Sequence, residues 1–217
     1  MIDGVAMRVT AEAVVVTAEC LLRVLSSAPI NGGVTRARTI VNVHVPKNFA
    51  CADTRTTVTA FAARHGLPPP CVGLLTSAWT ERAETATASD GDVRALVVAT
   101  VGLSNRCVAG LTAPAQWLPA TINTIAVVDA DPAPAALVNL VITLTEVKVD
   151  VLRGLGVSCD DDHAATGTST DAVVVAATGR GQRCAYGGPV TALGWAVARA
   201  AREALGAGVA RWLKENP

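Results

Sequence analysis

The sequence predicts an α+β protein, a single domain spanning all 217 residues, in which about three helices pack on a mixed β-sheet. Hydrophobic residues make up 51% of the chain, enough for a full core, but only 3% of residues are aromatic, so Ala, Val and Leu must fill that core. Short β-branched runs of strand length recur along the chain. The helical segments interrupt these runs irregularly, which disfavours a regular, doubly wound α/β sheet.

The first half of the chain is predicted to be mainly strands. Asn, Gly and Pro make 26–33 a turn-rich loop. A helix is predicted at 53–64, with Asp53 as its cap and Gly66 as its end. The remaining strands are predicted at 5–9, 13–17, 20–27, 38–45 and 71–77.

In the second half, 80–91 is polar and acidic and is predicted to be a surface turn. Two buried strands, 94–101 and 121–129, flank a long polar loop at 102–120, and such loops are often functional. Pro132 and Pro134 open the best helical pattern in the chain. A loop at 157–170, a strand at 172–177 and a helix at about 190–213 complete the order.

Composition excludes several classes of function. Lys and Arg together number 18, as do Asp and Glu, so there is no basic excess for nucleic acid or an anionic membrane surface. The most apolar windows are strand-sized, and the N-terminus lacks a signal-peptide pattern, so we expect a cytoplasmic protein with no membrane span. The six cysteines form no C-x-x-C and are predicted to be buried free thiols.

No dinucleotide-binding, P-loop, zinc-protease or nucleophile-elbow motif is present. The best metal candidate is the run Asp160-Asp161-Asp162-His163. Consecutive carboxylates more often repel into solvent than close round an ion, so we predict no metal site, although binding by this run stays open.

Two features of the second half carry candidate chemistry. Lys148 lies one turn after Leu144, inside the apolar stripe of the helix, whereas Glu146 lies on the polar face. Such a lysine either snorkels to solvent or lines a pocket as a donor to an oxyanion or a leaving amine. Thr166-Gly167-Thr168-Ser169-Thr170-Asp171 is either a local turn or a nest that binds an oxygen-rich ligand.

Similar polar loops adjoin other strands. If those strand ends cluster, the loops form one polar mouth on an apolar scaffold, which is typical of a small-molecule site; taken singly, each could be an ordinary turn. These loops contain Ser27, Asn31, Gly32, Gly33, Asn105, Thr121 and Asn123.

As an ordered set, these signatures resemble the adenosylcobinamide amidohydrolases over about residues 22–205. The matching runs are Leu25–Gly33, Ile40-Val41-Asn42, Val72–Thr76, Ala99–Asn105, Thr121–Ile125, Thr145-Glu146-Val147-Lys148 and Thr166–Asp171. The chain departs from the family pattern at Val101, Ala120, Val147 and Ser169, where Ala, Gly, Ala and Gly are usual. These departures add bulk near the expected pocket, which affects the exact substrate more than the reaction class.

The resemblance implies corrinoid salvage: hydrolysis of the amide between the corrin side chain and aminopropanol in adenosylcobinamide. The products would be adenosylcobyric acid and 1-aminopropan-2-ol, and cobalt would arrive with the substrate, so no separate cofactor is expected. The loop residues Trp79 and Trp117 could cover a ring face, and His44 could approach the cobalt, although structural roles are at least as common for such residues. A carrier or sensor without catalysis, or a hydrolase of another amide, stays open, as does a homo-oligomer.

For the reaction, our hypothesis makes Asp171 or Glu146 the base and Lys148 the oxyanion donor or leaving-group acid. A covalent route through Ser27 or a threonine ranks second, because no histidine is placed to activate it. Substrate would be bound by the remaining polar positions of the signatures, namely Ser27, Asn31, Gly32, Gly33, Asn42, Thr76, Asn105, Thr121, Asn123, Thr166, Gly167, Thr168 and Thr170.

Overall fold

The computed structural model describes residues 2–49, 53–114 and 121–216. Its helices are α1 (Thr54–Arg64), α2 (Pro134–Gly154) and α3 (Ala192–Glu215). Its strands are β1 (Val5–Val9), β2 (Ala13–Ser26), β3 (Gly33–His44), β4 (Cys71–Thr76), β5 (Glu84–Asp90), β6 (Val93–Val101), β7 (Arg106–Cys107), β8 (Ile122–Asp129), β9 (Asp131–Pro132), β10 (Gly167–Thr168), β11 (Ala172–Ala177) and β12 (Arg183–Cys184).

Eight strands form one mixed sheet in the order β4-β3-β2-β11-β8-β6-β5, with β1 added beside β2. The β3/β4 and β8/β11 pairs are parallel, and the other pairs in this sheet are antiparallel. The three helices and the mixed sheet confirm the predicted α+β class.

Side chains alternate between the two faces of each strand, so both faces of the sheet can be covered, and the structure has four layers. One face of β2 and β3 packs against Val58 and Phe61 of α1. The opposite face of β2, β3 and β4 meets β6, β8 and β11 across a core that contains Ile40, Leu74 and Ile125. The far face of β6, β8 and β11 packs against α2 and α3. The sheet therefore folds over on itself, and the edge between its two halves can hold a ligand.

The two long helices form where helical spacing predicts them. The apolar residues of α2 that follow helical spacing are buried, except that Val141 is partly exposed; they are Leu137, Leu140, Val141, Leu144, Val147, Val151 and Leu152. In α3 small residues allow close approach, since a Cβ atom on Gly208 would lie 2.7 Å from Cγ2 of Val101. The cap predicted for α1 is wrong in one detail: the Asp53 side chain makes no capping hydrogen bond.

Three local predictions were wrong. Residues 84–90 are not a turn but the edge strand β5, paired with β6. An edge strand tolerates polar residues on its solvent side, which explains the misleading composition. Residues 13–26 form one strand with an irregularity between Thr17 and Leu22, not two strands, and β3 begins at Gly33, five residues earlier than predicted.

The cysteine prediction was partly wrong. Among the described residues the cysteines are free, but only Cys184 is buried, and the other four are half-buried. Cys51 lies outside the described residues, as do Trp117 and Ala120. No helix in the described part of the chain is both long enough and apolar enough to cross a membrane.

Candidate active site

A cavity of about 680 Å³ lies where the two halves of the sheet meet. Its walls come from the loop after β2, the ends of β3 and β4, the start of α1, and the residues that lead into β8 and β11. The polar groups on its lining are Ser27, Thr54, Arg55, Thr76, Thr121, Asn123, Ser169, Thr170 and Asp171, and the apolar ones include Ile30, Val45, Phe49, Leu74, Leu75 and Ala172. Ser27, Thr121, Asn123 and residues 169–171, which belong to different polar loops of the sequence, lie together at this edge.

The loop after β2 folds back along β4. The backbone groups of Ile30 and Gly73 exchange hydrogen bonds of 3.2 and 3.0 Å, and the Asn31 amide donates to the Cys71 carbonyl at 2.7 Å. Asn31 and Gly33 have φ values of 54° and 80°, and a Cβ atom on Gly32 would lie 2.1 Å from the Ala28 carbonyl oxygen. Asn31, Gly32 and Gly33 shape the loop but do not line the cavity.

Ser27 is the polar residue of this loop that lines the cavity, beside Pro29 and Ile30. Its hydroxyl oxygen accepts a hydrogen bond from the Val173 backbone at 3.0 Å, and its own N–H donates to the Val173 carbonyl at 3.0 Å. The loop is thereby fixed to β11, next to Asp171.

The Lys148–Asp171 ion pair lies behind this wall. Nζ of Lys148 donates to Oδ2 of Asp171 at 2.5 Å, and the two side chains are 14% and 13% exposed. Lys148 therefore neither snorkels to solvent nor stands alone on the apolar stripe, because it is paired with the last residue of the predicted nest. Within 166–171, the Thr168 hydroxyl and N–H both donate to Asp171, as a local turn would, so the nest interpretation stays a prediction.

Four hydrogen bonds hold the Asp171 carboxylate. Oδ1 accepts from the Ile122 backbone at 3.0 Å and from the Thr168 hydroxyl, while Oδ2 accepts from the Thr168 backbone at 3.1 Å and from Lys148. A carboxylate offers about four acceptor sites, so these donors fill them. In this arrangement Asp171 can accept a proton only after one of the donors moves away.

Gly167 permits the pair to form. A Cβ atom at this position would lie 2.4 Å from Oδ2 of Asp171 and 2.7 Å from Nζ of Lys148. Gly167 and Thr168 form β10, which pairs with β7. The role of Gly167 in this structure is thus to leave space for the ion pair.

Glu146 lies away from this pair. It is exposed on α2 and is not part of the cavity lining. This placement agrees with the position on the polar face of the helix that the sequence predicts for Glu146.

A buried polar chain connects the cavity wall to the middle of the protein. The Thr121 hydroxyl donates to the Thr170 carbonyl at 2.7 Å and lies 3.0 Å from Oδ1 of Asn123. The Asn123 amide donates to Oδ1 of Asn42 at 2.9 Å and to the Leu75 carbonyl at 2.8 Å. Asn42 in turn donates to the Thr100 hydroxyl at 2.9 Å.

This chain joins β3, β4, β6 and β8 and so ties the two halves of the sheet together at the cavity. Asn42 is only 1% exposed and does not line the cavity, so it acts in this structure through Asn123. Thr76, also 1% exposed, lines the cavity while its hydroxyl accepts from the Ala78 backbone at 3.0 Å.

The remaining predicted residues support the 166–171 segment. The Asn105 amide donates to the Ser169 hydroxyl at 2.6 Å, and the Thr166 hydroxyl accepts from the Ala109 backbone at 2.9 Å. Neither Asn105 nor Thr166 lines the cavity. Of the departures from the family pattern, Ser169 faces the cavity, whereas Val147 packs in the core and Val101 packs against it.

Cys107 adds a free thiol next to this segment, since it pairs with Gly167. Burial raises the pKa of the Cys107 thiol; the Asp171 charge raises it further, and the Lys148 charge lowers it. The thiol is therefore held in its neutral form beside the ion pair.

Other candidates lie elsewhere. The Trp79 ring stacks on His44 with ring centroids 4.9 Å apart and borders a smaller recess of about 180 Å³, not the main cavity.

In the acidic run 160–163, Oδ2 of Asp161 lies 3.3 Å from Nδ1 of His163, and Asp160 pairs with Arg106. Over the described ranges, no group of three or more His, Cys, Asp or Glu side chains is arranged to hold a metal ion.

Sequence reasoning missed Thr54, Arg55 and Phe49 as cavity residues. Nothing in their local pattern distinguishes them, because 54 and 55 open an ordinary surface helix and Phe49 follows a strand. The placement of α1 beside β4 brings Thr54 and Arg55 to the cavity.

Comparisons with known proteins agree with the sequence signatures. A family model described as CbiZ, adenosylcobinamide amidohydrolase, matches residues 2–217. The chain is 34% identical over 186 residues to a protein named adenosylcobinamide amidohydrolase from Halobacterium salinarum, covering 81% of this chain and 75% of that protein.

Two solved structures are also similar. A β-aminopeptidase from Burkholderia sp. has a TM-score of 0.49 at 16% identity, covering 93% of this chain and 79% of that one. A protein from Pyrococcus horikoshii OT3 has a TM-score of 0.46 at 11% identity, covering 95% of this chain and 83% of that one. At this level of similarity, nothing about the activity of either protein is transferred to this chain.

The family match extends over nearly the whole chain, and the relative from H. salinarum is similar over most of its own length. This chain therefore belongs to the adenosylcobinamide amidohydrolase family, a family of amide-hydrolysing enzymes.

Proposed function

We propose that this enzyme hydrolyses the amide that joins the corrin side chain to aminopropanol in adenosylcobinamide. The products would be adenosylcobyric acid and 1-aminopropan-2-ol. One observation carries the proposal beyond the family name: signatures scattered from Ser27 to Asp171 converge on one cavity and the ion pair behind it. Turns that served only their own backbone would have no reason to lie at the same cavity.

The lining fits the polar part of such a substrate. Thr121, Asn123 and Thr170 share the cavity lining with the apolar side chains of Ile30 and Leu74. Pockets of this kind fix the orientation of a ligand through a few polar groups while apolar walls exclude water. The corrin ring is broad, so in this proposal its side chain enters the cavity while the ring stays at the mouth.

Lys148 and Asp171 are the proposed catalytic groups. Amide hydrolysis needs a donor for the developing oxyanion, an acceptor for the proton of water and a proton for the departing amine. When Lys148 redirects one N–H hydrogen bond from Asp171 to the carbonyl oxygen of the substrate, Oδ2 of Asp171 gains a free acceptor site. Asp171 then takes the proton of the attacking water, and that proton passes to the amine nitrogen as the C–N bond breaks.

Other polar residues complete the proposed site. Ser27, Thr121, Asn123, Thr168 and Thr170 would hold the amide and the attacking water. Cobalt belongs to the substrate, so no further cofactor enters the scheme. We also propose that the enzyme acts in the cytoplasm, where salvaged corrinoids would be remodelled.

The test is to incubate the purified chain with adenosylcobinamide and to measure both products by liquid chromatography and mass spectrometry. We expect 1-aminopropan-2-ol and adenosylcobyric acid in equal amounts. Tight binding without product release would instead favour a corrinoid carrier or sensor. Release of amine from simple amides but not from adenosylcobinamide would point to a different amide substrate.

A further inference from the structure

The charge distribution of the cavity has a feature that the family signatures do not contain. Two charged side chains, Arg55 and Asp171, stand on its described lining. The charge of Asp171 is offset by Lys148 at 2.5 Å. Arg55 is exposed, and across residues 2–49, 53–114 and 121–216 no carboxylate lies within ion-pair distance of its guanidinium. The lining therefore offers a ligand one uncompensated positive charge.

The proposed reaction creates an anion in this cavity. Water adds its oxygen to the amide carbon, the C–N bond breaks, and the acid formed gives its proton to the departing amine. At neutral pH the neutral amide becomes one carboxylate and one ammonium ion. A guanidinium matches a carboxylate with two parallel hydrogen bonds, and it repels an ammonium ion.

Resting on the proposed function, we infer that Arg55 is a specificity-determining residue that binds the carboxylate released from the corrin side chain. Arg55 separates the two products by charge, holding the acid and favouring departure of the amine. It also makes the enzyme bind its product, with a carboxylate, more tightly than its substrate, with an uncharged amide at the same position, so the product is an inhibitor.

The test compares binding of adenosylcobyric acid and of adenosylcobinamide, measured by equilibrium dialysis with the corrinoid's visible absorbance as the signal. For Arg55→Ala we expect the affinity for the acid to fall by at least about tenfold, which corresponds to the loss of one charge-assisted contact. The affinity for the neutral amide should change less than about twofold. Arg55→Lys should recover part of the affinity for the acid, because it restores the charge but not the planar fork.

Arg8→Ala is the matched control. Arg8 is exposed on β1, away from the cavity, and its loss changes the net charge by the same amount. Its affinity for the acid should equal that of wild type. Added salt should weaken binding of the acid to wild type and Arg8→Ala, but not to Arg55→Ala.

Equal losses of acid and amide affinity in Arg55→Ala would overturn the inference and make Arg55 a general contact. Unchanged acid affinity would also overturn it. Because these are binding measurements, they are separate from the turnover assay: failure of wild type to release amine would remove the proposed reaction, whereas charge selection by Arg55 would still be decided by dialysis.

Discussion

Lys148 of α2 and Asp171 at the start of β11 are 23 residues apart in sequence, yet Nζ and Oδ2 lie 2.5 Å apart in a nearly buried pair. Gly167 leaves the space in which the two groups meet, and the backbone N–H groups of Ile122 and Thr168 hold the carboxylate from the other side. The pair joins a helix of the outer layer to the strand whose first residues line the cavity.

Breaking this pair should abolish most of the activity. We expect Lys148→Ala and Asp171→Asn each to lower kcat at least about 100-fold, because each removes a group that acts on the reacting atoms. Each should also lower the free energy of unfolding by about 3 kcal/mol, since one nearly buried charge loses its partner. Steady-state kinetics and urea denaturation measure the two effects.

Asp150→Asn is the control for the pair. It breaks the ion pair of Asp150 with Arg202 on the exposed side of the same helix, where both side chains are more than half exposed. We expect a change of less than about 1 kcal/mol and unchanged kcat. Near-wild-type turnover in both Lys148→Ala and Asp171→Asn would remove the proposed mechanism.

Gly167→Ala should displace the ion pair without removing either charge. The new Cβ atom would lie within 2.7 Å of both charged groups, so we expect a destabilisation of about 1–3 kcal/mol together with a large fall in kcat. Gly154→Ala is the comparison, because nothing lies within 4 Å of the new methyl group at that position. Equal kcat values for the two variants would show that catalysis does not need the space that Gly167 leaves for the Lys148–Asp171 pair.

Glu146→Ala distinguishes the two bases considered from the sequence. Glu146 is exposed and outside the cavity lining, so we expect kcat and KM within about twofold of wild type and a stability change within about 0.5 kcal/mol. A fall in kcat comparable with that of Asp171→Asn would mean that Glu146 reaches the substrate by a rearrangement of α2.

Asn42→Ala should destabilise the protein through the buried polar chain. It leaves the Thr100 hydroxyl without its donor and removes an acceptor from Asn123, which should lower the free energy of unfolding by about 1–3 kcal/mol. Thr100→Val in the Asn42→Ala background should cost less than Thr100→Val alone, because the shared hydrogen bond is already lost. Additive costs in urea denaturation would contradict a connected chain.

Alkylation of Cys71 should depend on pH in a way that reports its burial. Burial raises the pKa of this thiol from 9.0 to about 11, so the reactive thiolate is scarce at neutral pH. The stability linked to holding this proton is fully present below pH 9 and is lost as the pH rises through about 11. We expect the rate of iodoacetamide labelling at Cys71, followed by peptide mass spectrometry, to rise steeply between these values. A rate that levels off near pH 9, as in urea-unfolded protein, would contradict this.

The sequence alone determined the features that depend on local periodicity. The apolar stripe of α2, the β-branched run of β11 and the last helix α3 each appear in the structure close to where the spacing predicts them. The anomaly of Lys148 was also visible, since a charged residue on an apolar stripe needs a partner whatever the fold. The ordered signatures identified the family without knowledge of how they meet.

Only the tertiary structure decided which of these residues share a site. Strand β5 is polar on its solvent side and resembled a turn until its pairing with β6 was known. Contacts between elements distant in sequence pair Lys148 with Asp171, bury Asn42 and place Arg55 at the cavity. Periodicity specifies which face of an element is buried, whereas the packing of the layers selects the side chains that meet across it.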